Sequence, residues 1–209
     1  MDPYIQTAQT WDKIAGLYQE TFMDLTLYNE TYNALCQALP QKAKLLELGC
    51  GPGNITRYVL QMRPDLNLLA SDTSPNMLEL AQKNNPGLEC MLLDARNISQ
   101  LNNQFDAVIA GFCMPYLSET DVAKLIVDVA SVLHDEGIFY LSYVPGDPEK
   151  SGYKTGRSGD SCYFYYHRSE TIQQELLKNG FKLQQSWLLN YEKSDAEAEQ
   201  HAISLARKS

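Results

Sequence analysis

The chain has 209 residues, 44% of them hydrophobic and 21% charged, the composition of one ordinary globular domain with a full core. A net charge of −9, from 17 basic and 26 acidic residues, argues against a broad phosphate-backbone contact, because nucleic-acid binders carry a basic face. No apolar run reaches the roughly 18 residues of a membrane span, and the polar stretch Met1 to Glu20 lacks the basic and apolar regions of a signal peptide. The five cysteines show no C-x-x-C spacing, so reduced thiols in a cytoplasm are expected and a zinc site is not.

The first forty residues carry two helical patterns, expected to cover a ligand face as a lid. Strands are then expected at 43–48, 66–71, 88–93, 105–111 and 136–144. Leu66-Asn67-Leu68-Leu69-Ala70 and Ala107-Val108-Ile109-Ala110 are near-continuous apolar runs, which suits strands covered on both faces. Between them, Ser74-Pro75 supplies an N-cap and a first-turn proline, and Ser118 with Asp121 opens a second helix. Val122, Leu125, Ile126, Val129 and Val132 follow helical spacing there, and His134 reads as a cap at the far end. Residues 145–161, rich in glycine and proline, read as a long mobile loop running into the aromatic cluster Tyr163 to His167. A helix over 169–179 ends at Asn179-Gly180, and strands at Phe181–Tyr191 and Ala202–Arg207 form an antiparallel pair joined by a polar loop. The expected architecture is an α/β, doubly wound sheet of seven strands, five parallel plus an antiparallel C-terminal hairpin, with helices on both faces. It forms one domain: a lid over 1–40, a core over 41–144, a loop over 145–166, and a C-terminal helix and hairpin over 167–209.

The informative stretch is Leu45 to Thr56, an apolar strand that breaks at Gly49, Gly51 and Gly53 and reopens as a helix. A turn of this kind cradles a nucleoside-bearing ligand where a parallel sheet meets its first helix. The spacing is G-x-G-x-G rather than the G-x-G-x-x-G of pyrophosphate binding, and Pro52 removes one backbone N–H from the turn. Both points favour a ligand without phosphates and disfavour a nicotinamide dinucleotide. Asp72 ends the second strand about 20 residues on, the place for a carboxylate that binds ribose hydroxyls. Asp94-Ala95 ends the third strand, and Gly111 to Tyr116 follows the fourth.

Together, Gly49-Cys50-Gly51-Pro52-Gly53-Asn54-Ile55-Thr56, Asp72-Thr73-Ser74-Pro75-Asn76-Met77-Leu78 and Asp94-Ala95 resemble the class I S-adenosylmethionine-dependent methyltransferases, with their Rossmann-like fold. Trp11 to Tyr18, Tyr166 to Glu170 and Leu176 to Phe181 extend the resemblance from about residue 10 to the end, closest to the group holding quinone-biosynthesis and other small-molecule enzymes. The resemblance implies S-adenosylmethionine as cofactor and a small-molecule methyl acceptor, without nucleic acid or stable membrane association. It implies that Gly49, Gly51 and Gly53 let the backbone approach the cofactor, with Cys50 and Thr73 in the same set. Glu47 would hold the methionine amine or order the turn, and Asp72 would bind ribose. Met77 would pack on adenine, and Asp94 with Ala95 would read its edge. Gly111 and Phe112 would line the methionine side, with Trp11 and Tyr18 closing over it.

Plainer readings stand beside these. Glu47 could be a structural carboxylate, Met77 core, and Asp94 a cap for the segment at Arg96. Cys50 and Cys113 read as small buried hydrophobes rather than nucleophiles. His201 looks structural or exposed. Should the acceptor need to lose a proton, His167 and Tyr116 are the candidate bases. A non-catalytic protein binding S-adenosylmethionine or S-adenosylhomocysteine is the alternative function, since fold alone does not establish activity.

Overall fold

The computed structural model describes residues 2–102, 104–156, 158–192 and 198–209. Three helices precede the sheet: α1 (Pro3–Lys13), α2 (Ala15–Phe22) and α3 (Asn29–Ala38). The sequence led us to expect two helical patterns covering the ligand face. The third helix instead belongs to the core, where Thr31, Tyr32, Leu35 and Cys36 are buried. Then come β1 (Lys44–Leu48), α4 (Asn54–Met62), β2 (Asn67–Asp72), α5 (Pro75–Asn84), β3 (Glu89–Leu92) and β4 (Phe105–Ala110). The second half holds α6 (Glu119–Val132), β5 (Leu133–Tyr143), β6 (Gly152–Thr155), β7 (Ser161–Phe164), α7 (Ser169–Lys178), β8 (Phe181–Tyr191) and β9 (Glu199–Lys208).

The main sheet has seven strands in the order β3-β2-β1-β4-β5-β9-β8. The first five pair in parallel, and β9 pairs antiparallel with both β5 and β8. The C-terminal hairpin is therefore inserted last strand first, β9 lying against β5 and β8 at the edge. The expected polar connection of this hairpin includes residues 193–197, which lie outside the described residues. Burial follows strand alternation. Leu46, Val108, Ala110, Phe139 and Leu141 face α6 and α7, while Leu45, Ala107, Ile109 and Tyr140 face α3 and α4. Covering both faces explains the continuous apolar runs.

Helix ends follow the sequence signals. Ser74 accepts the Met77 N–H, Ser118 accepts the Asp121 N–H, and Gly180 takes φ 81° after α7. Two expectations need correction. β6 and β7 pair as an antiparallel hairpin, registered Gly152↔Phe164 to Thr155↔Ser161, where a long mobile loop was expected. Tyr153 and Tyr163 meet edge to face across it, which turn-residue counting cannot foresee. His134 is not a helix cap, because α6 stops at Val132 and passes straight into β5.

Candidate functional site

The sheet order reverses between β1 and β4, and a cavity of about 330 Å³ opens there at the carboxyl ends of the strands. The β1 turn builds its floor. Gly49, Gly51 and Gly53 all take positive φ (64°, 55° and 80°). A Cβ on Gly49 would lie 2.9 Å from the Cys113 Cβ, so this position admits the β4 loop only as glycine. Phe112, after β4, is a non-glycine residue at φ 58°, an uncommon conformation held by a 2.7 Å hydrogen bond from its N–H to the buried Ser142 Oγ.

Asp72, at the end of β2, faces the cavity and accepts the N–H of Gly51 at 2.9 Å and of Ser74 at 2.9 Å. Burial nonetheless pushes its carboxyl above the usual range, against those bonds. A half-buried carboxylate so placed gains from two hydroxyl donors. Met77, Thr73, Leu93, Asp94 and Ala95 continue this wall. Asp94 is already engaged. Both its oxygens accept from the Arg96 guanidinium, which lies 3.8 Å over the Tyr4 ring. Burial works to raise its carboxyl, and the Arg96 bonds and charge outweigh that and hold it low. This end of the cavity thus offers an ion pair rather than a bare carboxylate.

Helix α1 closes the top. Asp2 caps it and Pro3 occupies its first turn, so Tyr4, Thr7, Ala8 and Trp11 form a helical stripe facing the cavity. That stripe was readable from spacing, yet only Trp11 was anticipated, and Arg96 was seen only as the segment Asp94 would cap. Asp12 pins the helix to the start of α5, accepting from Ser74 Oγ at 2.6 Å and the Asn76 N–H at 3.0 Å. The β6–β7 hairpin braces its outer side through Thr10 to the Ser161 carbonyl, Tyr163 N–H to Thr7, and Lys13 to Asp160.

Eleven of the residues anticipated for the cofactor line this cavity: Trp11, Tyr18, Gly49, Gly51, Asp72, Thr73, Met77, Asp94, Ala95, Gly111 and Phe112. Glu47, Cys50 and Gly53 do not. Glu47 is 1% exposed, accepts the Thr56 hydroxyl, and is pushed up to about 8 by burial. Cys50 is buried with its thiol on the Gly51 carbonyl, and burial raises that thiol well above its usual range. Gly53 is the left-handed cap of α4, where a Cβ would meet Asn85 at 2.4 Å.

The two candidate bases separate. His167 lies off the cavity, buried, its Nε2 on the Met114 carbonyl at 3.0 Å, and burial lowers its pKa. Tyr116 lines the cavity, but burial raises its phenol well above the usual range, so it stays protonated. The Trp11 indole packs edge-on against Tyr18 and Tyr116, each at 5.4 Å. Its Nε1–H is buried with no partner among the described residues, a donor waiting for a ligand oxygen.

The seven-stranded sheet and its cavity define a protein of the class I methyltransferase fold. Residues 45–137 match the methyltransferase domain family. It is 31% identical over 115 residues to trans-aconitate 2-methyltransferase of Mycobacterium ulcerans (strain Agy99), covering 55% of this chain and 41% of that protein. It is 26% identical over 113 residues to carboxy-S-adenosyl-L-methionine synthase of Campylobacter jejuni (strain RM1221), covering 53% and 48%. The chain thus spans less than half the length of these curated relatives. Among solved structures, magnesium protoporphyrin IX methyltransferase from Synechocystis PCC 6803 with bound SAM superposes with TM-score 0.72 at 16% identity, covering 100% of this chain and 98% of that one. The 1,6-didemethyltoxoflavin-N1-methyltransferase of Burkholderia thailandensis superposes at 0.71 and 16%, covering 97% and 87%.

Proposed function

We propose that this protein transfers a methyl group from S-adenosylmethionine to a small-molecule acceptor. The observation that carries the reading is Asp72, a half-buried carboxylate at the end of β2 that faces a cavity of nucleoside dimensions beside a glycine turn. The residues fit the cofactor. Asp72 would take the ribose hydroxyls, Met77 and Leu93 would pack on the base, and Ala95 would meet its edge beside the Asp94–Arg96 pair. Gly49 and Gly51 leave room for close backbone approach, and the unpartnered Trp11 Nε1–H would donate to a ligand oxygen.

The bound cofactor supplies an electrophilic methyl on a sulfonium, so the protein's work is orientation and exclusion of water. Trp11, Tyr18, Phe112 and Tyr116 wall the cavity with rings, and α1 covers it. The α1–α2 segment then acts as a lid over a single methyltransferase domain. No helix among the described residues is long and apolar enough to cross a membrane. With five free cysteines and an acidic balance, we place the protein in the cytoplasm, acting on a small molecule rather than nucleic acid.

Incubation with labelled S-adenosylmethionine and a small-molecule extract tests this. Label entering the small-molecule fraction is expected. Tight cofactor binding without any transfer would favour a non-catalytic sensor of the cofactor instead.

A further inference from the structure

At the base end of the cavity the lid meets the Asp94–Arg96 pair through one side chain, Tyr4. Asp2 and Pro3 start α1, which puts Tyr4 in its first turn and on the cavity wall. Its hydroxyl donates to the Asp121 carboxylate and accepts the Ser118 N–H at 3.0 Å, both at the start of α6. Tyr165 lies alongside the ring, 6.4 Å away at 24°. The ring so fixed holds the Arg96 guanidinium carbon 3.8 Å from its centroid, within cation–π reach.

The same guanidinium is engaged on Asp94. Nε lies 3.1 and 3.0 Å from the two carboxylate oxygens, Nη2 lies 2.6 Å from Oδ2, and the Arg96 backbone N–H lies 2.9 Å from Oδ1. A carboxylate has about four acceptor sites, so these donors leave room for one more. Lys124 Nζ donates to the Arg96 carbonyl at 2.7 Å, which fixes the backbone of this segment from α6 and leaves the Arg96 side chain as the part that the lid can set. That side chain is 30% exposed, and an ion pair so open to water is weak by itself. The Tyr4 ring supplies the second hold.

We propose that Tyr4 is a positioning residue that sets which purine the cavity prefers: its ring keeps the Arg96 guanidinium on Asp94, so that the carboxylate and not the cation meets the six-position of the base. The inference rests on the cofactor reading above, in which Asp94 and Ala95 lie at the base edge. A carboxylate accepts from a six-amino group and repels a six-carbonyl oxygen, whereas a guanidinium only donates and does the reverse. The Tyr4 hydroxyl is already engaged on α6, so the ring acts through Arg96 rather than by bonding the polar edge of the ligand.

The test titrates the full chain by calorimetry with S-adenosylhomocysteine and S-inosylhomocysteine, which present a six-amino group and a six-carbonyl at that edge. The native protein is expected to bind the adenine form more tightly. Tyr4→Leu removes the ring and should cut that preference about fivefold, the scale of an exposed cation–π contact. Tyr4→Phe keeps the ring and should keep the preference, even where both affinities fall together. Arg96→Lys can neither hold the carboxylate as a fork nor lie flat on the ring, so it should lose the same preference, and it decides if Tyr4→Leu fails to fold. Equal native affinity for the two ligands, an unchanged preference in Tyr4→Leu or Arg96→Lys, or a preference lost equally in Tyr4→Phe would overturn the proposal. Absence of S-adenosylhomocysteine binding to the native chain would overturn the cofactor reading itself, and this inference with it.

Discussion

Asp12 of the first helix caps the fifth: its carboxylate accepts the Ser74 hydroxyl at 2.6 Å and the Asn76 N–H at 3.0 Å. Ser74 in turn caps α5 through the Met77 N–H, and Met77 lines the cavity. The lid is thus fastened to the wall it covers. A negative charge at the start of α5 also meets the positive end of the helix dipole.

Asp12→Ala should cost about 1 kcal/mol of stability, the usual cost of a lost cap. Its larger effect should be kinetic, through faster release of S-adenosylhomocysteine and faster amide exchange confined to α1 and α2. Stopped-flow release and hydrogen exchange check both. Exchange unchanged in α1 would show that the hairpin contacts hold the lid alone.

Glu47 predicts a pH dependence. Its ordinary carboxyl value is 4.5, and burial raises it to about 8 in the folded chain. Between those values the folded state holds a proton that the unfolded state has lost, so stability falls as pH rises through the window. Glu47→Gln keeps an acceptor for Thr56 and removes the titration. The unfolding free energy of the native chain, from urea titrations at each pH, should therefore decline from about pH 5 to pH 8 more steeply than that of Glu47→Gln, by up to about 1.4 kcal/mol per pH unit. Parallel curves would mean that Glu47 is charged in the fold.

Gly49→Ala carries two penalties, a left-handed backbone costing about 1–2 kcal/mol and a clash with Cys113. Cys113→Gly should relieve only the second. Urea unfolding of the single and double variants separates them, and full recovery in the double variant would show that the turn has relaxed to negative φ.

How far the sequence reaches is visible in these same residues. The β1 turn, Asp72, and the Ser74 and Ser118 caps were legible because each is a local signal, a glycine, a strand-end acid or an N-cap, that the parallel sheet carries to one edge. The β6–β7 hairpin was not, since glycine and proline density hid a pairing set by Tyr153 against Tyr163. Glu47, Cys50 and Gly53 sit within the cofactor motif but fall short of the cavity. Strand alternation turns Glu47 onto Thr56, and Gly53 serves α4. Arg96 claims Asp94 through a two-residue ion pair whose strength depends on burial that no spacing reveals. The Tyr28 hydroxyl and His201 Nδ1, 2.7 Å apart and 173 positions distant in the chain, are brought together by the insertion of β9 between β5 and β8.

The cofactor assignment stands or falls with Asp72. Calorimetric titration of S-adenosylmethionine into the native chain and into Asp72→Ala should show single-site binding that weakens at least tenfold in the variant, from loss of a charged acceptor of two hydroxyl bonds. The melting temperature without ligand should change little, and NAD should not bind. Equal affinity in the two proteins, or binding of NAD in place of S-adenosylmethionine, would contradict it.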